Sequence, residues 1–270
     1  MTRRGVIGGA LIVVFLSLAS LHAPFGAATA KTTDQSDLWW IPTESGWGIQ
    51  FVQEETTIFA TMFVYGPNGQ PTWYVATMDH IGFATWTGKL YATTGPWFGT
   101  VPFDPNSVTV TPVGTMTLSA PFINQAVLTY SVNGVQVLKQ LQRQTLVFQN
   151  FTGQYAGMLS FQGTGLACDL SRNTNATPVN VQITHNTQAI TIVTQTDADS
   201  CTFPGTYTQA GHFGHVSGGY VCASGDSGTF AIFEMAVSWY DFRARTVLNS
   251  NTGCTLKGYI DGLLQPPPLQ

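Results

Sequence analysis

Few residues in this chain have the types and spacing for chemistry. Gly225-Asp226-Ser227-Gly228 sets a serine in the kind of turn that can expose a nucleophilic hydroxyl. Such a serine needs a histidine base, an orienting carboxylate and an oxyanion hole. The nearest histidines, His212 and His215, stand too close in sequence to come from a facing lobe. The stretch reads instead as a hairpin turn between Tyr220–Cys222 and Thr229–Phe233, with Asp and Gly in turn roles. His212-Phe213-Gly214-His215 invites a metal ion, with Asp226 or Glu234 to complete the set. Residues three apart on a strand point to opposite faces, so the pair reads as a solvated turn. Glu44, beside Ser45 and Trp47, could bond a ligand hydroxyl or cap its own turn. As half of a glycosidase pair it would need a second acid about 5–10 Å away. Glu54, Glu55 and Asp79 are the possible mates, and no spacing selects one. The reading is of a non-catalytic protein with no cofactor and no metal site.

Aromatic side chains are the more informative signal. Asp37 to Met78 holds four of the seven tryptophans, around a Glu44-Ser45-Gly46-Trp47-Gly48 turn. Exposed indoles stack on sugar rings or other flat apolar ligands, because the ring is large, rigid and carries one N–H donor. The competing use is core packing, the commoner fate of a tryptophan in a β-domain. Trp40, Trp47 and Trp97 flank Pro or Gly turns; with Glu44 and Trp73 they make the candidate ligand-binding set.

Strands must position these groups. Thr57–Tyr65 and Thr72–Met78 read as hairpin arms joined by Gly66–Pro71, and Thr57–Tyr65 is apolar on both faces, as in a sandwiched strand or a filled barrel. Gln125–Val132 and Val135–Gln142 flank Asn133-Gly134, a type I′ turn signal. No stretch after the first 30 residues keeps a 3.6-residue apolar stripe, so almost no helix is expected. The expected fold class is all-β: two small antiparallel β-barrel or β-sandwich domains after a signal peptide. Residues 37–146 form a Trp-rich domain of about eight strands. Residues 150–264 form a disulfide-containing meander, in which Gly165–Leu170 is one strand candidate and Gly219–Cys222 another. Residues 31–36 are a polar lead-in and 265–270 a Pro-rich tail.

Arg3-Arg4, the apolar Gly5–Leu21 run and Ala28-Thr29-Ala30 make the three parts of a secretory signal, with cleavage after Ala30. A membrane anchor would need roughly 20 apolar residues, so no transmembrane span is expected beyond the signal. The chain remaining, 270 − 30 = 240 residues, carries 10 − 2 = 8 basic and 14 acidic residues. That balance disfavours nucleic acid and anionic lipid as partners. An outer-membrane barrel is disfavoured by the four cysteines and by the Pro-rich end. Cys168, Cys201, Cys222 and Cys254 are an even set in an exported chain and read as two disulfides. Three pairings are open; the preferred one, Cys168–Cys201 with Cys222–Cys254, closes two loops of similar length.

The run Trp40-Ile41-Pro42-Thr43-Glu44-Ser45-Gly46-Trp47-Gly48, then Gly69-Gln70-Pro71-Thr72-Trp73-Tyr74, Thr94-Gly95-Pro96-Trp97-Phe98 and Tyr130-Ser131-Val132-Asn133-Gly134-Val135, resembles a recurrent domain of bacterial exported proteins. The resemblance spans roughly Trp39 to Arg143 and implies no particular activity. Thr152-Gly153-Gln154-Tyr155 is similar to the opening of small calycin-type barrels. The expectation is a periplasmic or extracellular binding protein for a glycan or small amphipathic molecule. The alternatives are a protein-binding adhesion or inhibitor module, and a structural accessory. A carrier would instead show a deep apolar cavity inside one barrel.

Overall fold

The computed structural model describes residues 32–164, 168 and 174–266, and Thr32–Gln270 form one compact unit. The signal-peptide reading of 1–30, the strand expected at 165–170 (Cys168 apart) and the end of the Pro-rich tail fall outside the described residues.

Sixteen strands close into two eight-stranded antiparallel barrels. The first barrel comprises β1 (Asp37–Trp40), β2 (Gly48–Glu54), β3 (Thr57–Tyr65), β4 (Pro71–Gly82), β5 (Thr85–Thr94), β6 (Thr109–Phe122), β7 (Gln125–Val132) and β8 (Val135–Arg143). The second comprises β9 (Gly153–Thr164), β10 (Thr174–Asn186), β11 (Ala189–Gln195), β12 (Ser200–Ala210), β13 (Phe213–Cys222), β14 (Ser227–Val237), β15 (Asp241–Ser250) and β16 (Thr255–Leu264). Each strand pairs with its sequence neighbours, and the last pairs with the first. Helical structure among the described residues is limited to 3-10 turns at Pro42–Glu44 and Pro105–Ser107.

The hairpins obey local rules. Asn133 and Gly134 both have positive φ (48° and 88°), as a type I′ turn demands. β13 is longer than the glycine-punctuated sequence suggests. Gly205 and Gly218 pair across β12 and β13, and a Cβ on Gly218 would lie 2.2 Å from the Pro204 carbonyl oxygen. Those glycines serve close packing inside the sheet rather than turns.

Period-two alternation fills the first barrel. Trp39, Phe51, Ile58, Met62, Met78, Trp86, Leu90 and Met116 point inward and are fully buried. β3 lines this filled barrel, one of the two expectations for it, through Ile58, Ala60 and Met62, while Phe59, Phe63 and Tyr65 point outward and are about half exposed. The interior is apolar, the opposite of the polar lumen of an outer-membrane barrel.

In an up-and-down barrel, successive loops alternate between ends. In the first barrel the loops after β2, β4 and β6 share the end of the chain exit with the lead-in, and this end meets the second barrel. There Arg143, 4% exposed, ties the segments together. It donates through Nε to Ile123 O (2.5 Å), through Nη2 to Asp34 O (2.6 Å) and Gln35 Oε1 (3.1 Å), and through Nη1 to Asp37 Oδ2 (2.9 Å). Its guanidinium lies over Trp39 of one barrel and Phe213 of the other. From the β12–β13 turn the His212 backbone N–H donates to Asp37 Oδ2, and His212 Nδ1 lies 2.8 Å from that oxygen. Burial pushes the Asp37 carboxyl up, but the His212 contacts and the Arg143 bond outweigh it and hold the group below the usual carboxylate range. Burial likewise lowers the Arg143 pKa. Gly211 packs so closely that a Cβ there would stand 2.0 Å from Asp37 Oδ2, and its φ is +60°.

Candidate functional site

The two barrels differ inside. At its junction end the second barrel is plugged by aromatic rings. Phe151, just before β9, packs edge-on against Tyr207, and Tyr155 packs against Phe242 at 4.6 Å. The Tyr155 hydroxyl donates to Phe151 O, and the Tyr207 hydroxyl to Gln209 Oε1. Burial raises both phenols, Tyr207 to about 12.

Beyond the plug the interior is hollow. A cavity of about 330 Å³ runs from mid-barrel to the loops at the far end. Leu159, Ile192, Phe203, Ile232, Leu248 and Ile260 form its apolar wall, with Phe203 stacked on Tyr220. Polar groups gather toward the open end. Asp226 accepts from the Tyr220 and Ser250 hydroxyls; Asp199 accepts from Ser200 N, Ser224 N and Ser224 Oγ. These bonds fasten the loops after β11 and β13 to the rim. Thr194 and Thr246 interrupt the apolar wall, and the buried Thr246 Oγ1 has no hydrogen-bond partner among the described residues. Hence the cavity can receive a small, mainly apolar molecule bearing a polar group; its volume is at the lower end of the roughly 300–1,000 Å³ typical of ligand pockets.

Both disulfides stand at this end, and their pairing corrects the expectation. Cys168 joins Cys254 and Cys201 joins Cys222. Cys201 and Cys222 are direct partners in the β12–β13 register, so sheet register, rather than equal loop length, sets the pairing. The Cys168 sulfur is thereby held at the β15–β16 turn. Asp199 approaches Cys201 and Cys222 as a metal-binding trio would, but both sulfurs are bonded to each other, which leaves no thiolate ligand.

The residues singled out in the sequence are dispersed over the first barrel. Trp40, next to the inward Trp39, points outward on β1, and Trp73 points outward on β4 opposite Phe63. Trp97 lies in the loop after β5, 68% exposed, with Phe98 and Val101 barer still. Trp47 covers the far mouth of the barrel and donates Nε1–H to Glu44 Oε2 at 3.0 Å. Lys139 Nζ meets the same oxygen at 2.5 Å. The Lys139 and Trp47 bonds hold the Glu44 carboxyl below its ordinary value. Glu44 is thus a latch between side chains rather than a cap on its own turn. The turns carrying Glu44, Asn68, Trp97 and Asn133 share the far rim, while Trp40 on β1 and Trp73 on β4 stand three strands apart around the barrel.

Other candidates resolve locally. Glu54, Glu55 and Asp79 lie at the opposite end from Glu44, a strand length of roughly 20 Å, beyond the carboxylate spacing of a glycosidase. Ser227 Oγ accepts from Asn251 Nδ2, and Asp226 is turned to Tyr220 and Ser250. His212 faces Asp37 across the junction, whereas His215 lies on β13 with its pKa lowered by burial. The cavity wall was not singled out from the sequence. Its visible trace is threonine at inward positions of apolar strands, Thr194 after Ile190 and Ile192, and Thr246 between Ala244 and Leu248. No family model matches the chain, and no curated protein or solved structure matches it.

Proposed function

We propose that the chain is a non-catalytic binding protein whose second barrel holds a small, largely apolar molecule with a polar group toward the far rim. The observation that carries this reading is the hollow interior between the aromatic plug and the disulfide-fastened rim. A natural core is packed to crystal-like density, so space left inside a barrel argues for an occupant. Two disulfides support export to an oxidising compartment, periplasmic or extracellular. The resemblance of the first half to exported bacterial domains points the same way. The protein-contact reading draws support from the bare Trp97, Phe98 and Val101 loop. The glycan reading is weakened by the separation of Trp40 and Trp73, which stand on strands three apart around the barrel.

The test is titration with N-phenyl-1-naphthylamine, whose fluorescence rises in apolar surroundings. The wild-type chain should bind it saturably. Thr194→Leu and Thr246→Leu add apolar bulk to the wall and should weaken binding by about tenfold or more without lowering the melting temperature. Unchanged binding in both folded variants would place the probe elsewhere and defeat the proposal.

A further inference from the structure

The first barrel is hydrogen-bonded unevenly around its circumference. β7 and β8 pair from Val132↔Val135 to Ala126↔Leu141. By contrast β8 meets β1 at only Trp39↔Arg143 and Trp40↔Gln142. Pro42 lacks an N–H and opens the 3-10 turn Pro42–Glu44, so the chain leaves β8 there. Antiparallel bonds alternate between the two sides of a strand. Val132 and Val135 flank a two-residue turn and form the bonded pair. That parity gives the main-chain groups of Val137, Lys139 and Leu141 to β7. Those of Gln136, Leu138 and Gln140 point the other way, toward the seam. Gln144 has the same parity, and its N–H donates across the seam to Leu38 O at 2.8 Å. Among the described residues no strand lies beside 136–140 on that side.

Side chains do not fill the seam. A groove of about 740 Å³ borders part of it, lined by the Pro42–Glu44 turn, by residues 138–142 of β8 and, on the other side of β8, by β6 and β7 residues between Ser119 and Val127. Side chains on a strand alternate between faces. Five successive residues in one wall therefore bring the main chain itself to the groove.

We propose that this seam receives an extended polypeptide segment of a protein partner, added as a strand to β8. Main-chain hydrogen bonding supplies the complementarity. Gln136, Leu138 and Gln140 offer donors and acceptors at every second residue, the row that another extended backbone matches. Sugar hydroxyls and lipid tails have no such periodicity. Residues 136–140 give room for a segment of about five residues, roughly 17 Å. Leu138, about two-thirds exposed, would pack against a side chain of the incoming strand. The Glu44–Lys139 pair leaves the groove with no net charge, so the fitting segment is neutral and apolar at alternate positions. Exposed strand edges of this sort are normally blunted or covered. The site is in the first barrel and stands or falls independently of the cavity in the second.

Amide hydrogen exchange of the full chain, read residue by residue by NMR, tests it. The Leu138 and Gln140 amides should exchange quickly in the free protein. A synthetic heptapeptide of alternating threonine and valine, at millimolar concentration, should slow both by roughly tenfold or more. The same peptide with proline at every second position should not. Leu138→Pro removes a seam N–H while sparing the ladder to β7, and should abolish the response. The wild-type comparison holds even if that variant does not fold. Slow exchange of both amides in the free monomer would overturn the proposal, as would exchange unaltered by the peptide. Protection that grows with protein concentration would also overturn it, by assigning the edge to a second copy of the chain.

Discussion

The two barrels share strand number, strand order and direction of pairing, yet they reach stability by different means. The first buries two tryptophans, Trp39 and Trp86, with methionine and leucine filling between them, and has no cysteine. In the second, the only tryptophan, Trp239, lies outside the core, 90% exposed; this barrel leaves space inside and carries both disulfides. Large rings use up the volume that an eight-stranded barrel encloses. The second barrel has no buried tryptophan, and several of its phenylalanine and tyrosine rings crowd the junction end; toward the hollow end fewer contacts hold the strands together, and covalent links that restrict the unfolded chain can offset the loss. The cross-links also fall at the hollow end, where packing is thinnest. The comparison teaches that interior side-chain volume, rather than topology, separates a solid barrel from a container.

Exchanging the two modes of stabilisation should affect the barrels selectively. Cys168→Ser with Cys254→Ser opens a loop of 86 residues and should cost about 4–5 kcal/mol. Trp86→Ala should cost roughly 3–5 kcal/mol, because a fully buried ring leaves a void that its strands cannot close. Followed by NMR during urea titration, the first pair should unfold β9–β16 early and leave β1–β8 in place; the second should do the reverse. Loss of both barrels together in either variant would mean that the junction couples them into one cooperative unit.

The junction itself gives a smaller, pH-dependent effect. The Asp37 carboxyl is held below its ordinary range in the folded chain. The folded state thus binds its proton less readily than the unfolded state. The associated stability is fully present above the unfolded-state pKa and is lost as pH falls through the lower folded-state value. Asp37→Asn should remove about 1–3 kcal/mol at neutral pH and flatten the acid limb of the stability curve. An acid limb of unchanged shape in that variant would show that other carboxylates dominate it, and that the barrels are joined chiefly by the Arg143 stacking contacts.

Much of the architecture was legible because β-structure writes itself in alternation and turns. Thr57–Tyr65 is β3 to the residue, and Gln125–Val132 is β7, because Asn133-Gly134 admits one turn type. The all-β class with two small domains followed from the same signals; the choice of barrel over sandwich came from the strand order. Disulfide pairing was not legible, since it depends on which strand lies beside which: Cys201 finds Cys222 through the β12–β13 register. The outward Phe59 and Phe63 left a sandwiched strand and a filled barrel both open for a related reason, because alternation shows two apolar faces but not which one is covered. The cavity was hidden because a void has no residue of its own. It arises from the summed volumes of side chains on eight strands that are distant in sequence.

Thr246 offers the finest probe of the contrast between solid and hollow interiors. It points inward on β15, is 4% exposed, and its hydroxyl has no partner among the described residues. A buried hydroxyl without a partner costs about 1–3 kcal/mol of desolvation. Thr246→Val keeps the shape and removes that cost, so the ligand-free protein should gain about 1 kcal/mol. The effect on binding then reports what faces the hydroxyl. If the ligand's polar group bonds Thr246 Oγ1, the stabilised variant should bind it more weakly. If that part of the wall meets only hydrocarbon, binding should be equal or tighter. A loss of stability in the ligand-free variant would mean that water satisfies the hydroxyl and that the wall at Thr246 is wet, which would bring the hollow barrel closer to a polar receptor than to an apolar container.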